Sequence, residues 1–162
     1  MPATTPSRKI TPFLWFDGNA EEAARYYVSI FKNSKITDTV LYTGAEPGPK
    51  GTVMTIAFEL DGQKFTGING GPMFKFTEAV SFAVRCKDQA EIDEMWEKLS
   101  AGGEKGPCGW LKDRFGLSWQ VVPDFLIETL TQGDSERSAR VMTEVMKMGK
   151  LDLATLKAAA AG

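Results

Sequence analysis

The feature that most constrains this chain is a repeat. Phe13 and Phe82, Asn19 and Asp88, Glu22 and Glu91, and Tyr27 and Trp96 are each 69 positions apart (82 − 13, 88 − 19, 91 − 22 and 96 − 27). Two similar halves of one chain point to a duplicated supersecondary unit rather than to one large sheet or a helical bundle. A chain of 162 residues accommodates a single domain built of two such modules, large enough to bury a core without disulfides.

Each half reads β-α-β-β-β. In the first, Ile10 to Phe16 is an apolar strand behind a short flexible tail, and Asp17-Gly18 breaks it. Asn19, with Glu22 three residues on, is placed to cap a helix. Its stripe is Ala20, Ala23, Ala24, Tyr27, Val28 and Phe31. Lys35 to Tyr42 is a strand, Thr43 to Gly51 a Gly- and Pro-rich loop, and Thr52 to Leu60 alternates with Met54, Ile56, Phe58 and Leu60 on one face. Asp61-Gly62 signals a hairpin into a return strand over Gln63 to Asn69.

The second half opens on the strand Val80 to Cys86. Asp88 and Glu91 then form a capping pair ahead of a helix that buries Ile92, Met95, Trp96 and Leu99 and ends at Gly102-Gly103. Strands follow around Glu104 to Trp110, Trp110 to Asp113 and Leu117 to Pro123. Asp113 is expected to accept backbone N–H bonds in the turn before the last strand, with Gly116 taking a positive φ.

From Asp124 the pattern turns helical. Asp134 or Ser135 caps a helix carrying Val141, Val145 and Met148, and a short last helix follows Asp152 with Leu151 and Leu156 as a hydrophobic staple. These helices are either core, a dimer contact or a cover over a pocket. The expected boundaries are 8–70 for module one, 78–123 for module two and 124–162 for the tail, in one domain spanning 1–162.

Composition removes several function classes. Nineteen Lys and Arg against 21 Asp and Glu leave a net charge of −2 with no basic block, which disfavours nucleic acid and anionic membrane as partners. There is no histidine, so Ser-His and Cys-His nucleophiles are excluded and the commonest metal ligand is missing. Cys86 and Cys108 make no disulfide framework and read as thiols of the core or a pocket. The N-terminal MPATTPSRKI lacks the apolar core of a signal peptide, and no run reaches a spanning length of about 18 residues. The expected location is cytoplasmic.

The stretches PFLWFDGNAEEAARYYVSIF, GINGGPMFKFTEAVSFAV, CGWLKDRFGLSWQVVP and KMGKLDLATLKAA together resemble the vicinal oxygen chelate superfamily, the glyoxalase, bleomycin-resistance and extradiol-dioxygenase group. More narrowly they are similar to its PhnB-like branch, whose domains often carry the label 3-demethylubiquinone-9 3-methyltransferase. The resemblance implies an α+β fold: two βαβββ modules pairing into a curved mixed sheet around a cavity, with a C-terminal helical extension. It also implies a homodimer, and a divalent metal held on the first and last strands of each module.

At those ligand positions this chain carries Pro12, Ser81, Gln120 and a residue near Thr66 to Asn69. Neutral amide and hydroxyl oxygens are poor ligands for Zn, Ni or Fe, so no metal and no cofactor is expected.

Strand alternation places Ser81, Ala83, Arg85, Ser118, Gln120 and Val122 on a face opposite Phe82, Val84, Trp119 and Val121. Module one is expected to add Pro12, Leu14 and Phe16 to the cavity, with Asn69 and Glu59. The candidate ligand-binding residues are therefore Gln120, Ser81, Asn69, Ser118, Arg85, Leu14, Phe16 and Glu59. Gln120 is either a ligand contact or an amide satisfied by Ser81 or backbone. Arg85 either meets an anionic ligand or is an exposed strand end, and Glu59 either faces the cavity or is solvated. Trp15, Trp110 and Trp119 either line the cavity or fill the core. Gly67, Gly70, Gly71 and Pro72 lack the Lys-Ser/Thr pair of a phosphate loop.

Two functions from different classes follow. One is a metal-independent small-molecule binding protein. The other is an enzyme: a divergent metal-dependent lyase, isomerase or dioxygenase, or the methyltransferase of the family label. For the last, neither a glycine motif for S-adenosylmethionine nor a parallel α/β pattern is present.

Overall fold

The strands of the computed structural model are set by the alternation and the turns. The structure describes residues 8–162, so most of the flexible tail expected before Ile10 lies outside the described residues. The chain divides into two compact units, one reaching Lys75 and the other Phe76–Gly162.

The first unit runs β1 (Phe13–Phe16), α1 (Ala20–Ile30), β2 (Lys35–Leu41), β3 (Val53–Leu60) and β4 (Gln63–Asn69). Its four strands lie in the order β1-β4-β3-β2. β1 is parallel to β4, and the other pairs are antiparallel. Asp61 and Gly62 take φ of 48° and 77°, the paired positive values of a tight two-residue hairpin. Ile56, Phe58 and Leu60 are buried, and Phe58 stacks on Phe65 with ring centroids 5.5 Å apart. On α1, the alanines Ala20, Ala23 and Ala24 and the ring of Tyr27 are fully buried, while Ile30 rather than Phe31 closes the stripe. The helix can sit close because β4 has Gly67 there. A Cβ at that position would lie 3.3 Å from the Phe16 ring and 3.4 Å from Cβ of Ala20.

The second unit runs β5 (Ser81–Cys86), α2 (Gln89–Ser100), β6 (Glu104–Lys105), β7 (Trp110–Lys112), β8 (Ser118–Pro123), α3 (Asp124–Thr131), α4 (Ser135–Val145) and α5 (Leu153–Ala161). Its sheet has the order β5-β8-β7-β6, with β5 parallel to β8. This is the same topology as the first sheet, so both modules are βαβββ units. The strands expected over Glu104 to Trp110 and Trp110 to Asp113 are shorter. Pro107 breaks the ladder, and Cys108 and Gly109 take φ of 60° and 83°. Their N–H groups donate instead to the carbonyls of Met148 and Gly149, at 2.7 and 2.8 Å.

Asp88 caps α2 by accepting from the Glu91 N–H at 2.9 Å, and the Glu91 carboxylate accepts from the Lys87 N–H at 2.8 Å. Asn19 makes no such cap; the Asn69 side chain accepts from the Ala20 N–H in its place. In the tail, Asp134 and Asp152 cap α4 and α5 as expected. The staple residues Leu151 and Leu156 are both buried in a cluster with Leu126, Val141, Val145 and Ala160, which makes the tail core-forming. α3 has no side-chain cap to announce it: Pro123, the last residue of β8, occupies its N-cap.

The repeat is not uniform. Between helices the offset is 69, from Asn19 to Asp88 at the caps. Between β1 and β5 it is 70 (86 − 16), and between their partners β4 and β8 it is 54 (123 − 69), because Phe16 lies opposite Asn69 and Cys86 opposite Pro123. Module one has the extra residue in its Asp17-Gly18 turn, where Gly18 takes a φ of 79°. A one-residue slip sends every strand side chain to the opposite face. Leu14 and Phe16 are consequently core residues, 6% and 3% exposed, on the face that packs on α1, and their expected cavity position is corrected. Phe13 and Trp15 take the open face instead.

Candidate functional site

The open face of the second sheet collects the polar side chains. Parallel pairing sets Ser81 beside Ser118, Ala83 beside Gln120 and Arg85 beside Val122. Antiparallel pairing with β7 adds Trp110 beside Gln120 and Lys112 beside Ser118. The alternate residues Leu111, Trp119 and Val121 are buried on the α2 side. Paired residues share a face, so Ser81, Gln120, Trp110, Ser118 and Lys112 form one continuous patch.

Within the patch, the Gln120 Nε2 donates to the Ser81 Oγ at 3.0 Å. Ser118 is only 1% exposed, and its hydroxyl has no hydrogen-bond partner among the described residues. An orphaned buried hydroxyl is costly, so it demands an explanation. Ser118 is one of the residues lining a half-open pocket of about 230 Å³ whose wall also includes Glu78, Pro107, Trp110 and Lys112. Glu78 pairs with the Lys112 ammonium. The hydrogen bond from Lys112 holds the Glu78 carboxyl below its usual range, and the same bond raises Lys112. Sequence reasoning missed Glu78 and Lys112; the Trp110-Leu111-Lys112 alternation was the available signal for Lys112.

Arg85 is exposed and its Nε bonds the Asp124 carboxylate at 2.8 Å, tying the end of β5 to the start of α3. Asn69 is hydrogen-bonded within its own unit: its Oδ1 accepts from the Ala20 N–H at 2.9 Å and its Nδ2 donates to the Val53 carbonyl at 3.1 Å. Glu59 lies on the open face of the first sheet, in register with Lys35, whose ammonium is 4.0 Å away. Of the tryptophans, Trp119 is core and Trp110 lines the pocket. Trp15 sits over Gly70, donates its Nε1 to the Gly71 carbonyl at 2.9 Å and meets Phe74 edge-on. The glycines of the 67–71 segment thus accommodate a ring and a helix.

The donor set does not fit a divalent metal. Ser81 and Gln120 are neutral and bonded to one another. With β1 and β5 offset by 70, the module-one counterpart of Ser81 is Thr11 rather than Pro12, and the strand register, Ala83 opposite Gln120 and Phe13 opposite Thr66, makes Thr66 that of Gln120; both carry hydroxyls. Among the described residues no three His, Cys, Asp or Glu side chains come together as a ligand group. Zn, Ni and Fe sites need imidazole, thiolate or carboxylate donors. Cys86 is no substitute, because burial pushes its thiol up to about 12.

A sequence model described as 3-demethylubiquinone-9 3-methyltransferase matches residues 8–122. Among solved structures, a PhnB protein from Bacillus cereus described by the same activity is 38% identical, with a TM-score of 0.64 over 72% of this chain and 99% of that one. A protein from Pseudomonas aeruginosa is 22% identical, with a TM-score of 0.58 over 73% of this chain and 100% of that one. The fosfomycin resistance protein FosX from Listeria monocytogenes is 17% identical, with a TM-score of 0.55 over 78% of this chain and 99% of its own, and shows the fold alone. A search of curated proteins finds no match. No helix among the described residues is long and apolar enough to cross a membrane.

Proposed function

We propose, from the premise that this chain belongs to the PhnB-like 3-demethylubiquinone-9 3-methyltransferase family of the glyoxalase and bleomycin-resistance superfamily, that it is a metal-independent small-molecule binding protein. The ligand lies on the open face of the second sheet, against Gln120, Ser81 and Ser118. One observation carries this reading: the Ser118 hydroxyl is buried without a partner among the described residues, on a face that also presents the Gln120 amide and the Ser81 hydroxyl. A mostly apolar wall with a few convergent polar groups is the usual form of a small-molecule site. The homodimer implied by the resemblance is part of the proposal, and a sizing column reads it directly.

The test is a thermal-shift screen of the full chain against aromatic, quinone, phosphonate and cofactor libraries. A ligand held at about 100 times its Kd adds about 2.7 kcal/mol, which for a chain of this size raises Tm by roughly 5–10 °C. The shift should be lost in Gln120→Ala. Elemental analysis is run on the same preparation, and one tightly bound Zn, Ni, Fe or Mn per chain would overturn the metal-independent reading. A reproducible shift with S-adenosylmethionine would favour the methyltransferase of the family description instead.

A further inference from the structure

We infer that the pocket beside Ser118 receives the carboxylate of a compact, single-ring aromatic acid; this deepens the small-molecule reading above and rests on it. The Ser118 hydroxyl, 1% exposed and unpartnered, marks the point where a ligand acceptor belongs. Lys112 is its register partner on β7 and lines the same pocket, so a residue with a hydroxyl and one with an ammonium stand side by side on one wall. Two donors of this kind, one charged, match an anionic oxygen better than a neutral carbonyl.

The apolar side of the pocket is Pro107 and the Trp110 ring, flat surfaces that favour a planar partner. Its volume of about 230 Å³ falls below the roughly 300–1,000 Å³ of drug-sized sites, which limits the occupant to one ring and its substituent.

Charge balance identifies how the acid is admitted. The pocket wall carries Lys105 and Lys112 against Glu78 and Glu104, and is neutral as it stands. Glu78 has 58% of its side chain exposed and belongs to a segment between β4 and β5 that has no helix or strand. An exposed ion pair of this kind contributes little, so its carboxylate can be exchanged for another at small cost. Lys105 is already paired with Glu97 at 3.0 Å, so with Glu78 swung out the Lys112 ammonium is the charge that takes one ligand carboxylate. The buried Ser118 hydroxyl then gains the bond that it lacks.

The experiment titrates the full chain with benzoate and with its neutral isostere benzamide, following Trp fluorescence and ligand NMR. Benzoate should bind at least about tenfold more tightly than benzamide, and Ser118→Ala should weaken benzoate about tenfold. Glu78→Gln, an exposed change, should strengthen benzoate several-fold by removing the competing carboxylate. Equal binding of the two probes, or weaker benzoate binding in Glu78→Gln, overturns the inference. If benzoate fails while a screened neutral compound binds in a Gln120-dependent way, the carboxylate subsite falls and the small-molecule reading stands. If no compound in the screen binds, both fall.

Discussion

The Asp113 carboxylate accepts a 2.9 Å hydrogen bond from the indole Nε1 of Trp119, six residues further on. Its other oxygen accepts from the Phe115 and Leu117 N–H groups at 2.9 and 3.0 Å, and the residue is 2% exposed. The turn before β8 is thus tied to the core face of β8 by one side chain. Replacing Asp113 by Ala leaves three donors without their acceptor, two of them at buried residues. We expect a loss of about 3 kcal/mol in urea unfolding. Asp113→Asn should cost less, because its remaining carbonyl oxygen keeps part of the set.

Ser118 carries the opposite expectation. Its hydroxyl is buried without a partner, and such a group costs roughly 1–3 kcal/mol. Ser118→Ala should therefore stabilise the ligand-free chain by about 1 kcal/mol while weakening ligand binding, a trade of stability against function. Chemical denaturation of both forms, without ligand, measures it. A destabilised variant would mean that the hydroxyl has a partner in solution.

Asn69 separates a structural role from a ligand contact. Its side chain satisfies the Ala20 N–H at the start of α1 and the Val53 carbonyl on β3. Asn69→Ala should lower stability by about 1–2 kcal/mol. Any ligand affinity measured well below the melting transition should stay unchanged. An affinity loss without a stability loss would restore Asn69 to the site.

Burial pushes the Cys86 thiol up to about 12, from its ordinary value of 9.0. Above pH 9 the unfolded chain gives up this proton while the folded chain keeps it, so stability present below pH 9 is lost progressively toward pH 12. Cys86→Ala should flatten that part of the pH profile. Native alkylation at pH 8 should modify the half-buried Cys108 before the buried Cys86, and mass mapping of the labelled peptides checks the order.

Most of the architecture was legible from local chemistry. The Asp61-Gly62 hairpin, the Asp88 cap, the Leu151–Leu156 staple and the Asp113 turn each rest on residues a few positions apart, whose interactions need no knowledge of the rest of the fold. The module-two face was legible too. Trp119 and Val121 alternate with Ser118 and Gln120 on a strand whose inner residues are unambiguously apolar. The helical character from Asp124 was legible, but α3 as a separate helix was not, since it begins without a side-chain cap directly after Pro123. Glu78 was not either, because it comes from an irregular segment and reaches Lys112 across 34 positions (112 − 78).

The sequence by itself determined that there are two βαβββ modules with a helical tail, because periodicity, caps and turns are short-range properties of the chain. Which face of β1 is inside was decided only by tertiary structure. Phe13, Leu14, Trp15 and Phe16 are all apolar, so alternation on that strand carries no signal, and a helix tolerates an offset of 69 that its strand does not. The extra residue beside Gly18 turns Leu14 and Phe16 onto α1, and only packing against Ala20 and Gly67 selects that arrangement. The site followed the same rule: strand register brought Ser118, Lys112 and Trp110 together, and that register exists only once β5, β7 and β8 are side by side.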